Sequence, residues 1–323
     1  MTLERYALNV ERQKNKRQKL VLLGVFLLPY AIAFIMFFVY PLINGIYISF
    51  FKFDGQSLFP TKFVGFDNYV TLFTNRVMLK HFWGSFGNTI LFSLVVVPLT
   101  ILIPLGLALL INIKPPLYKT FRSALYIPTI FPLTATGLIL LRMFDRQSGF
   151  INAFFALDVD WFGQVNLAWL MVLIFCVWGG IGGNLIIFSA GLQNVDKTLY
   201  EAAKVDGCSP LRRFFQVTLP GIKPQLILCI FTTMVGYMNL YGQNLILTSN
   251  TPDQNAVKTA VFIIQEQLLG SSKLFGLAAA MGIMLGIYVM IITSIQLILS
   301  RDKKGGHRYE NAYVAYEQSR QDR

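Results

Sequence analysis

Charge is what this sequence has least of, and its absence is organised. Only 14% of the 323 residues are Asp, Glu, Lys or Arg, whereas soluble domains carry about a quarter. Six blocks, near 20–51, 84–111, 123–141, 167–193, 225–248 and 274–300, contain none of the four. Charge-free apolar runs of roughly 18 residues or more read as transmembrane helices. The expected fold is therefore an all-α integral membrane protein with six transmembrane helices. The first block resembles a secretory signal, but it is too long and no small-residue cleavage site follows, so it reads as a retained helix. Pro29 and Pro41 are expected to kink it, or else its end projects beyond the bilayer.

Other absences narrow the chemistry. No GxxxxGK[ST] segment occurs, so the chain does not bind and hydrolyse ATP through a P-loop. Paired carboxylates, a GxSxG elbow and an HExxH motif are also missing, and no enzyme activity is indicated. Cys176, Cys208 and Cys229 lack CxxC spacing, while His81 and His307 stand alone, which indicates neither a disulfide framework nor a metal site. The six blocks also lack the ionisable residue that marks a proton relay. Sodium coupling through carbonyls and hydroxyls stays open. Energy for transport is expected from a partner.

The charge that exists is unevenly placed. Of 28 Lys and Arg, 20 fall in 1–19, 112–122, 194–223 and 301–323, and 8 fall in 52–83, 142–166 and 249–273. This positive-inside bias puts both termini in the cytoplasm. The run RQKNKRQK (12–19) anchors that topology, so the net charge of +12 does not point to nucleic acid. The chain divides into a basic cytoplasmic tail (1–19), a membrane domain (20–300) and a cytoplasmic C-terminal tail (301–323).

One polar segment interrupts the apolar pattern with regular helix signals: YEAAKVDGCSPLRRFFQVTLPGIKP (200–224). Asp196 can cap a helix whose apolar positions Leu199, Ala202 and Ala203 share a face. Gly207 offers the left-handed residue that ends such a helix. Ser209 and Pro210 supply a cap and a first helical position for a second one. Leu211, Phe214 and Phe215 repeat the spacing, and Pro220 and Pro224 close the element. A compact helical hairpin over 195–224 follows, its apolar stripes packed together and Glu201, Lys204, Arg212 and Arg213 outward. From these signals alone it is either a docking knob or a solvated loop.

The motif EAAKVDG, nine residues, then VTLP resembles the cytoplasmic EAA loop of binding-protein-dependent ABC transporter permeases, EAA-x3-G-x9-I-x-LP. Glu201, Ala202, Ala203, Gly207, Leu219 and Pro220 fit that pattern, and Val217 stands in the isoleucine place. WGGIGGNLIIFSAGLQ (178–193), FVGFDNY (63–69), LTSNTP (247–252) and FGLAAAMG (275–282) resemble the maltose and glycerol-phosphate type of sugar permease. The similarity covers nearly the whole chain after the N-terminal tail. Two departures stand out. Cys208 follows the Asp206-Gly207 pair where the family usually has alanine, and Val195-Asp196 replaces Ile-Pro before the EAA helix.

The resemblance implies a type I ABC importer transmembrane domain in a prokaryotic cell membrane. It further implies a second, different permease, two ATPase subunits that bind ATP and Mg, and an extracellular solute-binding protein. Glu201, Ala202, Ala203, Asp206, Gly207, Leu219 and Pro220 would form the ATPase-coupling contact. FVGFDNYVTLF (63–73) and the loop 249–273 would face the binding protein. The implied cargo is carbohydrate. Few ionisable residues near the expected cavity favour a neutral oligosaccharide over a polyol phosphate.

Two stretches suit a path for a hydroxyl-rich solute. In the fourth block, Trp178 offers a stacking face beside Gly180, Gly183 and Asn184; the alternative for the glycines is helix–helix packing. In the fifth, Tyr237, Asn239, Tyr241, Gln243 and Asn244 are costly in hydrocarbon unless paired, whether by ligand or by neighbouring helices. Gly276, Gly282 and Gly286 in the sixth read as packing surface. Competing classes are a channel or secondary carrier independent of ATP, and a membrane scaffold that only recruits a cytoplasmic partner.

Overall fold

The computed structural model describes residues 23–53, 59–249, 251–270 and 273–300. The RQKNKRQK run, His307 and the C-terminal tail lie outside these residues. The described residues form two compact units, one from 23–74 with 266–283 and the other from 75–265 with 284–300.

In the first unit, helix α1 (Leu23–Ser49) buries none of its most apolar window. A helix this apolar and this long is suited to an apolar surrounding such as lipid. The helix runs on through Pro29 and Pro41 without a break. Pro41 has no N–H to give the preceding turn, and the backbone there widens into a π turn, Ile35–Val39. Strand β1 (Phe51–Lys52) then pairs antiparallel with β2 (Lys62–Phe63), and α2 (Asp67–Thr74) follows. The FVGFDNY stretch locks this turn. Asn68 Nδ2 donates to the carbonyls of Ser49 (2.7 Å) and Phe51 (2.9 Å), and Tyr69 Oη meets Ser49 Oγ at 2.7 Å. Gly276 lies against the Phe51 carbonyl, where any Cβ would overlap it. The other expected packing glycines, Gly282 and Gly286, face open space instead.

The second unit is built on α3 (Arg76–Asn112). The third block is not one straight span: α4 (Tyr118–Ile130) and α5 (Leu133–Met143) meet at 100°. Phe131 precedes Pro132 and is pushed into extended backbone, φ −68° and ψ 139°, so the helix must stop there. After α6 (Phe150–Phe155) comes α7 (Val165–Asn194), the hub, packed along α3 and against α4. The polar segment forms α8 (Lys197–Val205) and α9 (Pro210–Gly221).

The fifth block is also interrupted. Helix α10 (Lys223–Met238) stops at Asn239, and α11 (Gly242–Thr248) resumes after Tyr241. The carbonyl of Leu240, freed by the break, accepts the Thr259 hydroxyl at 2.6 Å. That bond holds the segment around Thr259 against the fifth block. From the end of α12 (Gln254–Val257) to the start of α13 (Ala260–Leu269), Val257, Lys258, Thr259 and Ala260 are all buried. The chain's described part ends with α14 (Phe275–Ser300). Among the described residues four helices, α1, α3, α7 and α14, are long and apolar enough to cross a bilayer, and there are up to six spans if each bent pair counts as one.

Candidate functional site

The hairpin between α7 and α10 is capped at both ends of α8 and at the start of α9. Asp196 Oδ1 accepts from Thr198 N at 2.9 Å, and this bond holds its carboxyl below the ordinary carboxylate range. At the far end of α8, Gly207 has φ +69°, its N–H donates to Lys204 O (3.1 Å), and Cys208 N donates to Ala203 O (2.9 Å). These two bonds are a Schellman closure, and they account for the spacing of EAA-x3-G. The second alanine supplies the carbonyl that the residue after the glycine must reach. Only the backbone of Cys208 enters this closure, which explains why cysteine can stand there. Ser209 Oγ then accepts from Arg212 N at 3.3 Å and starts α9, with Pro210 in its first turn.

The expected packing of apolar stripes is not what holds the hairpin. Ala203 is buried, but Ala202 is exposed, and Leu199, Val205, Leu211 and Phe215 are 52%, 88%, 69% and 57% exposed. Short helices cannot cover both faces, so among the described residues these side chains form an exposed apolar surface beside exposed Glu201, Lys204, Asp206 and Arg212. The element closes between Pro220 and Pro224. Helix α9 widens into a π turn at Phe214–Thr218 and runs through Leu219 and Pro220 to Gly221, before a 71° bend into α10.

The hairpin's root is locked instead. Tyr200 Oη donates to Thr218 Oγ1 at 3.0 Å, bridging α8 and α9. A Cβ on Gly221 would come within 2.8 Å of the Val195 side chain, and one on Gly191 within 2.9 Å of Gln225. Ile222 at the bend is fully buried. The hairpin is thus pinned to both α7 and α10.

The nine path candidates divide into two groups. Asn184, Tyr237 and Asn244 are engaged by the protein. Asn184 Nδ2 donates to Thr100 O (2.7 Å) and Thr233 Oγ1 (3.2 Å), joining α7 to α3 and α10. Tyr237 Oη donates to Cys176 O at 2.8 Å, and Asn244 Nδ2 to Val257 O at 2.7 Å. Gly180 makes room for Tyr237, since a Cβ there would lie 2.9 Å from its hydroxyl. The second group stays accessible. Trp178, Gly183 and Asn239 are exposed, and Tyr241 and Gln243 are half-buried. Asn239 uses its amide N–H only on Val235 O of its own helix. The four WGGIGGN glycines split likewise: Gly180 and Gly182 admit neighbouring side chains, while Gly179 and Gly183 face open space.

Residues 101–305 match the family of binding-protein-dependent transport system inner membrane components. The chain belongs to this family. Over 87% of its length this permease is 31% identical to the sulfoquinovosyl glycerol transport system permease of Agrobacterium fabrum, covering 91% of that protein. It is 29% identical to the arabinooligosaccharides transport system permease of Bacillus subtilis, again over 87% of the chain and 89% of the relative. Its fold is that of a chain in the crystal structure of a bacterial ABC transporter that imports the acidic polysaccharide alginate. The TM-score is 0.78 at 20% identity, over 91% of this chain and all of that one.

Several residues that shape the permease's site carry no signal in its sequence. Asn88 Nδ2 donates to Ala256 O and Lys258 O, both at 3.1 Å, and Trp169 Nε1 donates to Ala256 O at 3.2 Å. These bonds fasten the tucked segment onto α3 and α7. Lys258, counted as an outer-loop charge in the sequence, is buried with its ammonium 5.5 Å from the Phe262 ring centre.

Proposed function

We propose that this permease forms half of the translocation path of an ATP-driven importer for carbohydrate, a neutral oligosaccharide in the first instance. Its partners in this reading are a second, different permease, two ATPase subunits that bind ATP and Mg, and an extracellular solute-binding protein. Both termini and the hairpin face the cytoplasm of a prokaryotic cell. The observation that carries the proposal is the hairpin: capped, glycine-closed, apolar at its surface and pinned to two membrane helices. An element so built transmits displacement, whereas a loosely tethered loop absorbs it. Glu201, Ala202, Ala203, Asp206, Gly207, Leu219 and Pro220 serve the ATPase contact, and the exposed leucines, valine and phenylalanine supply its apolar part.

The names of the relatives support a carbohydrate cargo. Accessible Trp178 gives a ring face for a sugar, and Asn239, Tyr241 and Gln243 give it hydrogen bonds. The test is uptake of radiolabelled sugar by the intact importer, with Glu201→Lys beside the wild type. The variant is expected in the membrane at normal level, with uptake lost. Uptake that survives ATP depletion and collapses with the ion gradient would overturn the proposal in favour of a secondary carrier.

A further inference from the structure

A polar cavity of about 660 Å³ opens at the root of the hairpin, among the ends of α3, α4, α7 and α8. Its size lies within the ~300–1,000 Å³ typical of small-molecule sites. Lys114, Arg122 and Lys197 line it together with Tyr118, Tyr200 and Ser189, and no carboxylate does. These cations come from three separate segments: the α3–α4 turn, α4 and the start of α8. Arg122 is half-buried, and none of the three has an ion-pair partner among the described residues.

Two further observations point to a ligand. Ser189, 5% exposed on α7, lines the cavity, and its Oγ has no hydrogen-bond partner among the described residues. A buried hydroxyl left so is costly unless something meets it. The turn carrying Lys114 is strained as well. Lys114 and Leu117 hold φ of +56° and +64° without being glycine, a conformation that persists where surroundings or function over-determine it.

We infer that this cavity binds a phosphate group, held by Lys114, Arg122 and Lys197 and by the Ser189 and Tyr118 hydroxyls. The chemistry fits the donors: a guanidinium and ammonium groups pair with phosphate oxygens, and neutral hydroxyls complete the shell. Basic pockets between membrane helices on the cytoplasmic side take anionic lipid headgroups, and a soluble phosphate offers the same oxygens. Because Lys197 and Tyr200 belong to the hairpin, an occupied site would tie the hairpin's root to α3 and α4. The inference does not depend on the identity of the imported solute.

The test uses the full chain purified with its co-expressed partner subunits in neutral detergent. Binding and thermal protection are measured with phosphatidylglycerol, with phosphatidylcholine and with inorganic phosphate. Phosphatidylglycerol is expected to raise the melting temperature and phosphatidylcholine not to. Lys114→Gln or Arg122→Gln should weaken the effect by about tenfold, as loss of one charge-assisted contact predicts. Ser189→Ala, which removes a single hydroxyl, should weaken it less, and Arg76→Gln, at the opposite end of α3, should leave it unchanged. Protection by inorganic phosphate alone, lost in the same variants, supports the site and assigns it to a soluble anion. Protection by neither anion, or equal protection of Lys114→Gln, Arg122→Gln and wild type, overturns it.

Discussion

Gly207 is the position where the hairpin's shape rests on one backbone angle, so a graded series there tests the coupling proposal most directly. Its φ of +69° is left-handed, and a Cβ added there meets nothing within 4 Å. Alanine therefore costs only the conformational penalty of an L-residue in that region, about 1–2 kcal/mol. Asparagine tolerates the region and costs less. Valine, branched at Cβ, costs more than alanine. Proline locks φ near −65° and removes the N–H that donates to Lys204 O, so the Schellman closure cannot form.

Each ~1.4 kcal/mol is a tenfold change in the population of the closed turn. Coupled uptake should therefore fall in the order Gly, Asn, Ala, Val, Pro, with proline near zero. The assay is sugar uptake normalised to permease in the membrane, alongside ATP hydrolysis by the assembled importer. Hydrolysis should persist or drop independently of uptake in the proline variant, the mark of uncoupling. Wild-type uptake by Gly207→Pro, or asparagine as damaging as proline, would refute the reasoning.

Three other outcomes follow from the contacts. Asn184→Leu removes the bonds to Thr100 and Thr233 and should destabilise the detergent-solubilised protein by about 1–3 kcal/mol; an unchanged melting temperature would show that the amide does not staple the helices. Gly182→Val would drive a side chain into Thr129 and Tyr126 of α4 and should cost ~1–3 kcal/mol by overpacking, whereas Gly179→Ala, into open space, should melt as wild type. The Asp196 carboxyl has its affinity for protons lowered by the Thr198 N–H, so its cap stabilises above the ordinary carboxylate range and fades as pH falls through the lowered value. Asp196→Asn keeps a capping oxygen without titrating, and its melting temperature should vary less than wild type's below about pH 4.

Local signals were legible in the sequence because they act within a few residues. Asp196, Gly207 and the Ser209-Pro210 pair each stand where their capping chemistry implies. What was not legible depends on partners far along the chain. Nothing near Leu240 announces that Thr259 satisfies its carbonyl, so the fifth block read as one span although it is broken. Pro132 was visible, but a proline in an apolar run need not interrupt it, and α3 carries Pro98 and Pro104 without interruption. The spacing of Leu199 and Leu211 is periodic, yet both side chains are exposed. Periodicity says which residues share a face, not whether the covering surface belongs to the same chain.

The path residues show the same limit and suggest how the two tasks of the fifth block are separated. Along 237–244 every polar side chain looks equivalent in sequence. In the structure Tyr237 and Asn244 bond to Cys176 and Val257, on either side of the interruption at Asn239–Tyr241. These two fix the flanking helices, so the backbone can break between them without unravelling. The break in turn leaves Asn239 exposed and Tyr241 half-buried at the point where regular helix is absent. Irregular backbone at membrane depth is tolerated where it is covered by protein or lines a watery cavity. Leu240 is the covered side of this break, through Thr259, and Asn239 is its open side. Asn239→Ala should therefore reduce sugar uptake while sparing the melting temperature, whereas Thr259→Val should lower the melting temperature first. Equal effects of both on stability would mean that the interruption is only a packing feature.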